Sequence, residues 1–135
     1  MRVAVVAISD RNSSKLRSIA GACVATLKAQ GHDTELFFNL DPRVSYFDFV
    51  VFCSEPKGLG SSTGTLLAHQ LDFASGLEGK RSAAVMVRSG LASGKALQKL
   101  MATLENQGLR IVQSQIVSNT SQVPVIMKET PIERP

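Results

Sequence analysis

The stretch RVAVVAISDRNSSKLRSIAGACVATL (residues 2–27) decides the fold. Residues 2–8, RVAVVAI, read as a strand covered on both faces, because a half-exposed strand would alternate apolar with polar residues. Leu16, Ile19, Ala20, Cys23, Val24 and Leu27 then fall at helical spacing along one face. Ser13 or Ser14 can cap that helix and Gly31 can end it. The turn between them, SDRNSSK, contains an arginine, an asparagine and three serines but no glycine. So many donors at a helix N-terminus suit an anion, where free N–H groups and the helix dipole already favour one. Asp10 is the exception, since a carboxylate aimed at that anion would repel it.

The same alternation continues outward. TELFFNL (34–40) and FDFVVFCS (47–54) read as the next two strands. Leu66, Leu67, Leu71 and Phe73 mark a second helix that closes near Gly76, and SAAVMV (82–87) is a fourth strand. Ala96, Leu97, Leu100, Met101 and Leu104 mark a third helix ending at Gly108. LRIVQSQIV (109–117) places Gln113 and Gln115 on one face, as expected of an edge strand that is partly wet. Strands alternating with helices predict an α/β three-layer sandwich around a five-stranded parallel sheet with right-handed crossovers. The common strand order for five such strands is 2-1-3-4-5, with ligands at the carboxyl ends near the switch point.

Two segments depart from that plan. The link DPRVSY (41–46) leaves no room for a crossover helix between strands two and three. The tail SNTSQVPVIMKETPIERP (118–135) has three prolines, which exclude a long closing helix. The expected organisation is therefore a domain over 1–117 and an irregular C-terminal tail over 118–135. With the second crossover helix and the C-terminal helix reduced or missing, one face of strands three to five needs another cover. A homodimer would supply it. The monomeric alternative folds the tail back through Val123, Val125, Ile126 and Met127.

Composition narrows the function classes. At 135 residues and 44% apolar content the chain can bury one substantial core. No apolar run reaches the roughly 18 residues of a membrane span, and Asp10 comes too early for a signal peptide. Cys23 and Cys53 show no metal or disulfide spacing, so a cytoplasmic protein with reduced thiols is expected. The net charge is +4, but the basic residues are scattered, and there is one tyrosine and no tryptophan. That argues against nucleic acid as a partner and leaves long-range attraction of a small anionic ligand.

Three loops follow strands one, three and four: SDRNSSK (9–15), SEPKGLGSSTGT (54–65) and RSGLASGK (88–95). The topology brings them to one end of the sheet, each leading into a helix. His32 follows a helix-ending glycine and His69 lies on a predicted helix, so both read as surface residues. No Gly-x-x-x-x-Gly-Lys-[Ser/Thr] motif is present. Strand three ends in Cys53–Ser54 rather than the aspartate of a phospho-acceptor domain.

Three pieces in this order carry a family resemblance: NSSKLRSIAGACVATLKAQGHDTELF (12–37), FDFVVFCSEPKGLG (47–60) and LEGKRSAAVMVRSGLASGKALQKLMATLENQGLRIV (77–112). Together they resemble the flavodoxin-like family, which covers flavodoxins and NAD(P)H-dependent FMN and quinone reductases. The resemblance implies FMN as cofactor, with its phosphate held by Ser9, Arg11, Asn12, Ser13 and Ser14. Pro56, Lys57, Gly58, Leu59 and Gly60 would flank one side of the isoalloxazine ring, and Ser89, Gly90 and Leu91 the other. It implies an NAD(P)H-dependent reductase of a small acceptor such as a quinone. Arg88 and Lys57 are candidates to meet the nicotinamide's phosphates. The flavin carries the redox chemistry, so no catalytic acid or base is named. Three departures keep a second reading open: Asp10 in the first loop, Glu55 between Ser54 and Pro56, and the absence of loop aromatics. That second reading is a flavin-less binding or regulatory module on the same fold.

Overall fold

A computed structural model describes residues 1–9, 13–56, 76–88 and 93–132. The strands are β1 (Arg2–Ala7), β2 (Asp33–Phe37), β3 (Phe49–Ser54), β4 (Arg81–Val87) and β5 (Arg110–Val117). Helices α1 (Ser14–Ala29), α2 (Ser93–Asn106) and α3 (Val123–Glu129) follow β1, β4 and β5. All strand pairs are parallel, in the order β2-β1-β3-β4-β5. The expected helix around Leu66–Phe73 lies outside the described residues.

The continuous apolar strands are explained by the two cores they separate. Val3, Val5 and Ala7 of β1, with Phe49, Val51 and Cys53 of β3, face α1 through Leu16, Ile19, Cys23 and Leu27. The alternate residues Ala4, Val6, Val50 and Phe52 face α2 through Ala96, Leu100 and Leu104. Gly31 and Gly108 stop α1 and α2 in the same way. Each has a positive φ, 92° and 85°, and the amide of the next residue returns to a carbonyl of the last turn. This double closure is the reason glycine stands at both places.

The β2–β3 link, too short for a crossover helix, forms a 3-10 turn over Pro42–Tyr46. Its buried Val44 and the following Phe47 occupy the face a helix would have covered. Phe47 meets Phe37 edge-to-face at 5.7 Å.

The tail is more ordered than its prolines suggest. Pro124 sits in the first turn of α3, where a missing N–H and a fixed φ cost nothing. α3 lies against α1 and buries Val123, Ile126 and Met127 in the core on that side; Val125 points to solvent. Beyond it Ile132 is also buried, and the Arg81 guanidinium donates to the carbonyls of Pro131 and Ile132. The face assigned to a second subunit is thus covered by the chain itself, which removes the argument for a homodimer. At the sheet edge, a bulge opposite Ser82 and Ala83 lets β5 keep Ile111 and Ile116 on the α2 side. Gln113 stays half-buried and Gln115 exposed on the other. Among the described residues no helix is long and apolar enough to cross a membrane.

Candidate functional site

The carboxyl ends of β1, β3 and β4 are drawn together by hydrogen bonds beyond the regular ladder. The Ile8 amide donates to the Cys53 carbonyl at 2.9 Å, extending the β1–β3 pairing past the end of β1. The Ser54 hydroxyl, fully buried, donates to the Ile8 carbonyl at 2.7 Å. Across α1, the Lys15 ammonium donates to the Arg88 carbonyl at 3.0 Å. Residues at the ends of three strands and the start of one helix therefore share one edge, at the point where the strand order reverses.

The geometry at the α1 N-terminus centres on Glu55. Ser13 is the N-cap: its hydroxyl oxygen accepts from the Leu16 amide at 3.1 Å. The same hydroxyl donates to Glu55 Oε2, while Ser9 Oγ donates to Glu55 Oε1 at 2.8 Å. Glu55 is only 6% exposed, so its charge is compensated by these donors and by the positive end of α1. In the sequence Glu55 stands out only as an interruption between serine and proline. Its partners are 46 and 42 residues away and are not legible from spacing.

Of the residues expected to hold FMN, Ser9 is buried at the end of β1, Ser13 is half-buried at the cap, Ser14 is exposed, and Pro56 is half-buried just past β3. Arg11, Asn12, Lys57, Gly58, Leu59, Gly60, Ser89, Gly90 and Leu91 lie outside the described residues, as does Asp10. Arg88 is exposed, with its Nε donating to Ser118 Oγ at 3.2 Å. Sequence reasoning missed Lys15, whose role needs the fold to bring α1 beside the end of β4. It also passed over GSSTG (60–64), which fits the Gly-x-Ser-x-Gly spacing of a hydrolase elbow. Ser62 and the rest of that stretch lie outside the described residues.

Beneath this edge, Cys23 of α1 and Cys53 of β3 are both buried and unbridged. The hydrogen bond between them, reinforced by burial, pushes the Cys53 thiol well above its ordinary range. They act as packing groups rather than nucleophiles.

A shallow cleft of about 340 Å³ opens beside α1, lined by Ser14, Lys15, Ser18, Ser118 and Asn119. A larger one, about 400 Å³, lies at the opposite end of the sheet between Met1, Tyr46, Asp48, Lys80 and Arg81. Size alone would favour the second. Its cations, however, are engaged by the fold: Lys80 donates to the carbonyls of Ser45 and Phe47, and Arg81 to the tail. The strand-end rule also places ligands at the carboxyl edge, so that edge is the better candidate.

Comparison with solved structures agrees with this architecture. The chain superposes on a Streptococcus pneumoniae flavodoxin with a TM-score of 0.75 at 14% identity, covering 96% of this chain and 97% of that one. The fold is flavodoxin-like. Flavodoxin 2 from Bacillus cereus gives a TM-score of 0.74 at 17% identity, over 93% of this chain and 94% of that one. An NADH:FMN oxidoreductase in its apo form gives 0.64 at 20% identity, over 91% of this chain and 78% of that one. No protein-family profile matches the sequence, and no curated protein matches it.

The first loop can be tested against an FMN phosphate from its own hydrogen bonds. A phosphate needs donors, and the Ser9 and Ser13 hydroxyl protons are both directed at Glu55. As built, this part of the site does not fit a phosphate.

Proposed function

We propose that the protein is a flavodoxin-like oxidoreductase that binds a flavin at the carboxyl edge of the sheet. It would use NAD(P)H to reduce a small acceptor such as a quinone. The observation that carries this reading is the convergence of the β1, β3 and β4 ends at the switch point, on a fold shared with flavodoxins and an NADH:FMN oxidoreductase. FMN is the flavin implied by the family resemblance. The net charge of +4 suits attraction of an anionic dinucleotide better than the role of an acidic electron carrier. Arg88, exposed just past the end of β4, would meet its phosphates in this reading. A cytoplasmic location goes with this reading.

The buried Glu55 favours a second reading, a flavin-less binding or regulatory module, because it turns the loop's hydroxyls inward. Titrating the purified protein with FMN and with riboflavin, following flavin fluorescence at low salt, separates the two. Saturable binding of either flavin, followed by flavin-dependent oxidation of NAD(P)H by a quinone, supports the oxidoreductase. Absence of binding by both leaves the flavin-less module.

A further inference from the structure

The α1 N-terminus already holds an anion belonging to the chain. The Glu55 carboxylate is buried and receives one hydroxyl proton from Ser9 and another from Ser13. A serine hydroxyl has a single proton to give. The Ser13 oxygen is further occupied as the acceptor of the Leu16 amide. Glu55 does not sit on a loose loop, because the Ser54 hydroxyl and the Cys53 carbonyl fasten the preceding two residues to Ile8. Its carboxylate is therefore held facing the first turn of α1.

An incoming phosphate ester would meet three obstacles here. It is acceptor-only, and these two hydroxyl donors are engaged. The positive helix end is already offset by a carboxylate. A phosphate brought against the buried Glu55 carboxylate would also be repelled by it. An alcohol meets none of these obstacles, because its O–H can donate to a carboxylate.

Resting on the flavin reading above, we propose that Glu55 sets the ligand specificity of this site. It selects an unphosphorylated flavin, whose side chain ends in hydroxyls, over the phosphate ester of the same flavin. The site thereby reverses the preference expected of a phosphate-binding loop.

The test compares riboflavin and FMN binding to the full chain, by fluorescence titration, in the wild type and in Glu55→Gln. Glutamine keeps the size and an acceptor oxygen, removes the charge and adds a donor. The wild type is expected to bind riboflavin at least as tightly as FMN. In Glu55→Gln the affinity ratio should move about tenfold or more toward FMN, the scale of a charge-assisted hydrogen bond gained with a repulsion lost. A wild type that prefers FMN tenfold overturns the proposal, as does an unchanged ratio in a variant with a native circular dichroism spectrum. If the variant does not fold, the wild-type preference decides alone. Binding of neither flavin sinks the flavin reading itself, an outcome distinct from failure of the Glu55 assignment.

Discussion

Replacing Met127 with alanine tests whether the tail is part of the core. Met127 is 1% exposed and packs with Val123 and Ile126 in the cluster formed by α1 and the sheet. Truncating a buried methionine removes its transfer free energy and leaves a partly collapsed cavity, at a typical cost of about 2–5 kcal/mol. Because α3 is only seven residues long, neighbouring side chains can relax into the space, which argues for the lower half, about 2–3 kcal/mol. With a urea m-value of roughly 1–3 kcal/mol/M, the unfolding midpoint should fall by about 0.7–3 M. Val125→Ala is the internal control: on the same helix but 59% exposed, it should change stability by less than about 0.5 kcal/mol. Urea unfolding followed by far-UV circular dichroism reads both. If Met127→Ala were as neutral as Val125→Ala, the tail would not be docked in solution, and the α1 face would need another cover.

Ser13→Ala removes an N-cap and one donor to a buried carboxylate, so it should cost roughly 2–3 kcal/mol; a loss under about 0.5 kcal/mol in urea unfolding would mean that Glu55 is not held there. Gly108→Ala forces a side chain into positive φ, with its Cβ 2.9 Å from Glu78 Cγ. It should lower the melting temperature by several degrees, about 1–2 kcal/mol, and an unchanged melting temperature would contradict the α2 terminus described. Both thiols should resist a thiol-specific disulfide reagent at neutral pH until the protein unfolds, because Cys23 and Cys53 are buried and the Cys53 thiol is pushed up; rapid stoichiometric labelling of the native protein would refute this. Burial lowers the Lys80 ammonium below its ordinary value, with Asp48 pulling the other way. The unfolded chain then holds this proton to higher pH than the folded one, so stability gains from Lys80 as pH rises through its folded pKa toward the ordinary lysine value. Lys80→Met should lack that gain, and parallel stability–pH curves would show the shift to be absent.

What the sequence made legible follows from which interactions are local. Apolar runs at β1, β3 and β4, helical spacing from Leu16 to Leu27, and glycines at 31 and 108 are short-range signals, and the structure places each as read. The tail was misread as irregular because Pro124 was counted as a breaker, whereas at the first turn of a helix proline is compatible. Nothing local announces that Met127 and Ile132 return to the sheet; that follows from an uncovered face and from Arg81 catching the tail carbonyls. The candidate site divides in the same way. Ser9 and Ser13 were recognisable from the strand-turn-helix pattern. The carboxylate that claims their hydroxyls comes from the end of a different strand, and only the β1–β3 pairing reveals it.

Amide chemical-shift mapping by NMR, with riboflavin and then FMN as titrant, tests whether a flavin binds at the carboxyl edge of the sheet. Saturable perturbations with at least one flavin are expected, centred on Ser13, Lys15, Leu16, Glu55 and Arg88, with the opposite end of the sheet unmoved. Perturbations centred instead on Met1, Tyr46, Lys80 and Arg81, or a spectrum that neither flavin changes, would rule that site out.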